Sequence, residues 1–205
     1  MFDAYILAGG NSSRMGREKA LLEINKTPMT SIVAEAVREA GADSLKIVAG
    51  TKAASLSRFF SDSPVIDDFS PNLGPPGGIF TALEDAKQDS VFAVACDLPF
   101  VSAELISFLK SRFDETNADA LIPIQPDGFK QTLCAFYRKS KCIVPFQAHL
   151  LRSDVTPSVR DMLERVEAVY VGFEEFEHLA GAHDFFLNLN TPMDVESARE
   201  MSRPK

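Results

Sequence analysis

Hydrophobic positions along the chain follow two alternating periods. Short apolar runs bounded by turn residues read as strands at 4–8, 45–49, 65–66 and 91–96, the last being the continuous run VFAVAC. Between them apolar residues recur at helical spacing, the signature of βαβ units and a mainly parallel sheet. Met29, Ile32, Val33, Ala36, Val37 and Ala40 form one apolar face that Gly41 ends, with Thr27 placed as N-cap and Pro28 in the first turn. Residues 53–60 predict a short helix, Ile79, Ala82, Leu83 and Ala86 a helix entered from Gly78, and a further helix begins near Ser102. In the second half, strands at 120–123 and 133–137 flank the turn Gln125-Pro126-Asp127-Gly128, which predicts an antiparallel excursion. Helices at 139–151 and 157–164, strands at 166–171 and 185–189, and a last helix capped by Thr191 complete the pattern.

Composition narrows the function. The 205 residues suit one domain spanning 1–205, and a 45% hydrophobic content supplies a sizeable core. A net charge of −8 argues against wrapping nucleic acid. No run approaches the ~18 apolar residues of a membrane span, and the N-terminus lacks a basic segment leading into an apolar core, so the expected location is the cytoplasm. Cys96, Cys134 and Cys142 show no C-x-x-C spacing and read as buried, reduced thiols. His149, His178 and His183 fall outside metal-ligand spacings and read as surface or capping residues.

Against the acidic background, cations gather in one stretch, ILAGGNSSRMGREKALL at 6–22, where Arg14, Arg17 and Lys19 follow Gly9-Gly10. A phosphate needs close backbone amides, short hydroxyls and cations, and this stretch supplies all three. It is neither a G-x-x-x-x-G-K-[ST] loop nor a G-x-G-x-x-G fingerprint. FSPNLGPPGG at 69–78 is longer and more proline-rich than an ordinary strand-to-helix connection, and Gly74, Gly77 and Gly78 would let a ligand approach closely at a helix N-terminus. Asp97 follows VFAVAC directly, at the carboxyl end of a buried strand where open α/β sheets bind ligands. Paired with a phosphate loop, it reads as a divalent-metal ligand. Asp67 and Asp68 end another strand; Asn188 and Asn190 either terminate the strand there or offer amides to a polar ligand. The acidic, aromatic segment 173–178 carries no assignable chemistry.

LAGGNSSRMGREKALL, the strand end VIDD followed by GPPGG, ACDLPFV and NLNTPMD resemble, in order and spacing, the MobA-type nucleotidyltransferases, the molybdenum cofactor guanylyltransferases, over residues 4 to about 200. The resemblance implies a three-layer α/β/α, Rossmann-like nucleotidyltransferase fold, mainly parallel with some antiparallel pairing. It implies Mg²⁺-dependent transfer of GMP from GTP to molybdopterin, forming molybdopterin guanine dinucleotide and pyrophosphate, and possible partners among cofactor-biosynthesis proteins or molybdoenzymes. Carried onto matching positions, it places the nucleotide on the backbone of Leu7, Ala8 and Gly9, with Lys19 towards the phosphates, and marks Asp68 as a GTP-site residue; on physical grounds the Gly9-Gly10 amides would cradle the triphosphate, with Arg14 beside Lys19 to neutralise its charge. Asp97 would hold Mg²⁺, and Asn188 and Asn190 would face the pterin. LAGG rather than LAAG resembles the guanine-using branch. Two departures stand out: Val48-Ala49-Gly50-Thr51 lacks an asparagine that relatives often carry, and Lys130-Gln131-Thr132-Leu133 lacks their proline before the leucine. A cytidylyltransferase, a sugar-phosphate nucleotidyltransferase and a nucleotide-binding cofactor chaperone without turnover remain alternatives.

Overall fold

The computed structural model describes residues 1–9, 19–50, 53–70, 72–151, 157–189 and 192–201. In chain order its strands are β1 (Asp3–Leu7), β2 (Glu23–Ile24), β3 (Thr27–Pro28), β4 (Ser44–Val48), β5 (Val65–Ile66), β6 (Ser90–Ala95), β7 (Ala120–Pro123), β8 (Cys134–Arg138) and β9 (Ala168–Val171). The α-helices are α1 (Met29–Glu39), α2 (Ala53–Leu56), α3 (Pro75–Asp85), α4 (Ala103–Glu115), α5 (Lys139–Leu150), α6 (Val159–Leu163) and α7 (Pro192–Met201).

Seven strands form one sheet in the order β5-β4-β1-β6-β8-β7-β9. β1 lies between β4 and β6, parallel to both, with Ile6 opposite Ile47 on one side and Val94 on the other. β8 runs antiparallel to β6 and β7, as the turn at 125–128 predicts, and β9 joins β7 in parallel. Because β1 is covered on both faces, its side chains feed two cores alternately. Ala4 and Ile6 pack with Val33 and Val37 of α1 and Leu105 and Leu109 of α4, whereas Tyr5 packs with Ile79 and Leu83 of α3, Phe146 of α5 and Met162 of α6. The result is three layers, helix on sheet on helix. Among the described residues no helix is long and apolar enough to cross a membrane.

Asp3 pins the opposite end of this sheet, a role the sequence did not disclose. Its buried carboxylate accepts from the amides of Lys87 (2.6 Å) and Gln88 (2.9 Å) and from Ser44 Oγ (2.6 Å).

Three expected elements differ. Thr27 does not cap α1: Asn25 and Lys26 both take positive φ (49° and 70°), so the chain makes a two-residue hairpin turn that pairs β2 with β3. Pro28 is then the N-cap, without a side-chain cap bond, and the amide of Met29 is satisfied by the Leu22 carbonyl at 2.8 Å. Gly41 does end α1, at φ +82°. The segment 185–189 is not a strand. Phe185 and Phe186 are both buried, which the two-residue alternation of a strand facing one core does not allow, and the chain turns through the bonds Asp184 N–H to Gly181 O (2.8 Å) and Leu187 N–H to Asp184 O (3.0 Å). The predicted helix at 53–60 is shorter, α2 followed by a 3₁₀ turn at Ser57–Phe59. The expected cap at Thr191 lies outside the described residues.

Candidate active site

The carboxyl ends of β4, β1 and β6 reach the same edge, and the ladder continues past the strands. The amide of Ala8 donates to Val48 O (2.8 Å), that of Cys96 to Leu7 O (3.2 Å), and that of Asp68 to Gly50 O (2.9 Å). These bonds fix the floor of a cleft of about 460 Å³, bounded by Leu7, Ala8 and Gly9, by Gly50, and by Cys96 and Asp97. Two glycines permit the close approach of its floor segments. A Cβ on Gly9 would lie 3.0 Å from Gly50 N, and Gly50 sits at φ +61°.

On this floor Lys19 Nζ donates to Asp97 Oδ2 at 2.5 Å, with both side chains largely covered (22% and 16% exposed). Lys19 opens a 3₁₀ turn, Lys19–Leu21, whose buried Ala20 carbonyl accepts from Thr30 Oγ1 of α1 at 2.8 Å. A helix in the core therefore sets the height of the lysine. Asp97 is held by its own backbone, since its carbonyl accepts from Leu189 N (3.2 Å). Its Oδ1 is buried and, among the described residues, has no hydrogen-bond partner. Among the described residues no group of three or more His, Cys, Asp or Glu side chains is placed to hold a metal. Burial, with the Asp97 charge beside it, pushes the Cys96 thiol up to about 12, so it stays protonated near neutral pH and is no nucleophile. Cys134 and Cys142 are buried and free as well.

Asp68 lines the other side of the cleft. Its Oδ1 accepts from Thr81 Oγ1 (2.7 Å) and from the amide of Ser70 (2.8 Å). The sequence reading missed Thr81, although it is the polar interruption in the buried run Ile79-Phe80-Thr81-Ala82-Leu83. Asn188 reaches the rim from the turn that replaces the expected strand, its Nδ2 3.4 Å from Phe186 O. Gly10, Arg14 and Asn190 lie outside the described residues. None of the histidines lines the cleft. His178 and His183 are exposed, but His149, expected in a surface or capping role, is buried in α5, and Arg165 Nε donates to its Nδ1 at 3.2 Å.

The proline-glycine loop is also shorter than expected. α3 starts at Pro75, so Gly77 and Gly78 belong to its first turns, where both pack closely against the protein and Gly78 also lines the cleft. A Cβ on Gly77 would stand 2.5 Å from Ser70 O, and one on Gly78 would stand 3.3 Å from Leu7 Cδ2. Only Gly74, at φ +63° with open space around it, keeps a loop role. Gly77→Ala should therefore lower stability by about 1–3 kcal/mol through overpacking against fixed backbone, read as a lower denaturant midpoint. An unchanged midpoint would show that the 68–74 segment yields freely.

The chain resembles known proteins along nearly its whole length. Residues 4–169 match the MobA-like NTP transferase domain. A probable molybdenum cofactor guanylyltransferase of Carboxydothermus hydrogenoformans is 34% identical over 191 residues, covering 93% of this chain and 91% of the relative. A molybdenum cofactor guanylyltransferase of Vibrio atlanticus is 32% identical over 193 residues, 93% and 91% of the two chains. Among solved structures, molybdopterin-guanine dinucleotide biosynthesis protein A from Archaeoglobus fulgidus superposes with a TM-score of 0.83 at 26% identity, covering 98% of each chain. With the domain matched along most of its length and such relatives matched nearly end to end, this chain belongs to the MobA-like NTP transferase family and is a nucleotidyltransferase.

Proposed function

We propose that the protein transfers GMP from GTP to molybdopterin, using Mg²⁺ and releasing pyrophosphate, to give molybdopterin guanine dinucleotide. The relatives' names supply the substrates of this reading. The observation that carries it is the Lys19–Asp97 pair on the cleft floor, with Asp97 Oδ1 buried and unpartnered.

The cleft divides into two chemical halves. At the α3 end, Pro75 and Pro76 have no N–H to give and the Gly78 amide is spent on Gly74 O (3.2 Å), so that helix N-terminus offers few donors to an anion. The Asp68 carboxylate repels phosphate and accepts only from donors. The nucleoside belongs there. The triphosphate belongs at the opposite end, over Leu7, Ala8, Gly9 and Gly10, with Lys19 and Arg14 as cations. Asn188 and Asn190 then flank the acceptor's pterin.

An orphaned, buried carboxylate oxygen fits a hard divalent cation, which commonly uses one or two carboxylates and completes its shell with water and substrate phosphate. Mg²⁺ held by Asp97 would neutralise charge on the α-phosphate and the departing pyrophosphate. The terminal phosphate of the acceptor is largely dianionic near neutral pH, its second pKa being about 6, and attacks the α-phosphorus without a general base. The lack of a histidine in the cleft suits that chemistry. What the chain itself must do is hold two anions in line, and Lys19 offsets their repulsion.

The test is incubation with molybdopterin, Mg²⁺ and each nucleoside triphosphate separately, identifying the product by mass. Dinucleotide formed with GTP alone is expected. Product with CTP would move the protein to the cytidine-using branch, and transfer only to a sugar phosphate would change the acceptor. Nucleotide binding without pyrophosphate release would leave a cofactor chaperone.

A further inference from the structure

We infer that Thr81 is a positioning residue that orients the Asp68 carboxylate for the nucleoside half of the nucleotide. The inference rests on the assignment of Asp68 to the nucleotide site.

Thr81 is fully buried in α3, away from the cleft lining. The amide of Phe69 donates to its Oγ1 at 2.9 Å. A backbone N–H can only donate, so this bond occupies a lone pair of the hydroxyl and leaves its single proton for Asp68 Oδ1, 2.7 Å away. Together with the Ser70 amide at 2.8 Å, Oδ1 receives two donors. Among the described residues Oδ2 receives no hydrogen bond, and it lies close enough to α3 that a Cβ on Gly77 would come within 3.2 Å of it. A carboxylate otherwise rotates about a broad, nearly two-fold torsion. Thr81 removes that freedom and leaves one oxygen for a ligand. An ionised carboxylate accepts and cannot donate, so the partner is a ribose hydroxyl or a base N–H and not a phosphate. The contact spans 13 positions in sequence and links the strand-end loop to the helix behind it.

Three variants test this, with steady-state kinetics for GTP and thermal unfolding as readouts. Thr81→Val keeps the shape and deletes the hydroxyl. It should raise the KM for GTP roughly tenfold, on the scale of a lost hydrogen bond to a charged group, with kcat within about threefold. Thr81→Ser should restore the wild-type KM. A purely structural threonine would lower the melting temperature of Thr81→Val and leave its KM unchanged, and that result would overturn the proposal. Asp68→Ala should raise KM at least as much, and adding Thr81→Val to it should change nothing further. If Asp68→Ala leaves KM unchanged, the Asp68 assignment fails and takes this inference with it. If Asp68→Ala raises KM and Thr81→Val does not, only the role of Thr81 falls. The effect of Thr81→Val should shrink with 2′-deoxy-GTP if the donor is a ribose hydroxyl, or with inosine triphosphate if it is the exocyclic amine of the base. An undiminished effect with both would count against a nucleoside donor. Should Thr81→Val fail to fold, Thr81→Cys, a weak donor of similar size, should show the same KM shift at smaller amplitude.

Discussion

Asp97→Ala is expected to abolish metal-dependent pyrophosphate release while the protein stays folded. The two halves of that expectation have separate physical grounds. For folding, the carboxylate contributes little: among the described residues Oδ1 has no partner, and Oδ2 pairs with a lysine that is itself partly open to solvent. Truncation removes an unsatisfied buried atom together with a partly exposed ion pair, so the net change should be small. The backbone bond that anchors the 189 segment uses the carbonyl of residue 97 and survives the substitution. For catalysis the loss is large, because a metal at reacting phosphates is worth several kcal/mol and a single missing electrostatic contact costs ~10²–10³ in turnover. Asp97→Asn separates charge from shape: it should be nearly as inactive as the alanine variant. A continuous pyrophosphate assay with a parallel thermal melt decides, and full turnover by Asp97→Ala would sink the metal assignment.

How far the sequence revealed this site depended on the range of the interactions that make it. The position of Asp97 was legible because a strand buried on both faces must be a continuous apolar run, and the first polar residue after it marks the sheet edge. The central parallel strands and the antiparallel return through 125–128 were legible for the same local reasons. The Lys19–Asp97 pair spans 78 positions and Thr81–Asp68 spans 13, and no local pattern announces which residues a fold will bring together. Local signals also competed. Thr27-Pro28 carries good capping chemistry, but the positive φ angles at Asn25 and Lys26 close a hairpin and carry the threonine into β3. Adjacent apolar residues at 185–186 read as strand, yet both rings turn inward and Phe186 meets Phe176 edge-on at 6.0 Å. The glycines of GPPGG looked like room for a ligand. Gly77 and Gly78 also make room for the protein, where α3 leans on Ser70 and Leu7, while Gly78 lines the cleft as well.

Lys19→Ala is expected to cost at least ~10²-fold in turnover, the scale of a lost electrostatic donor in a preorganised site. The reason lies in the charge balance of the cleft floor. Asp97 and Asp68 both face a space that must admit a triphosphate, and Lys19, 2.5 Å from Asp97, is the described cation that lines it. Without the lysine, incoming phosphates meet a carboxylate that has lost its 2.5 Å counter-ion in a partly desolvated cleft, where Coulomb terms are several times larger than in water. The variant should therefore lose both nucleotide affinity and kcat, and the loss should be greatest at low ionic strength. Lys19→Arg tests geometry at constant charge, since a planar fork does not reproduce a compact ammonium, and it should recover only part of the rate. If Lys19 and Asp97 act on the same phosphates, as proposed, their effects should not add: Lys19→Ala combined with Asp97→Ala should be no slower than Asp97→Ala alone. Wild-type turnover by Lys19→Ala would reduce the lysine to a structural counter-ion of Asp97, and fully additive losses would mean that the two residues serve different steps.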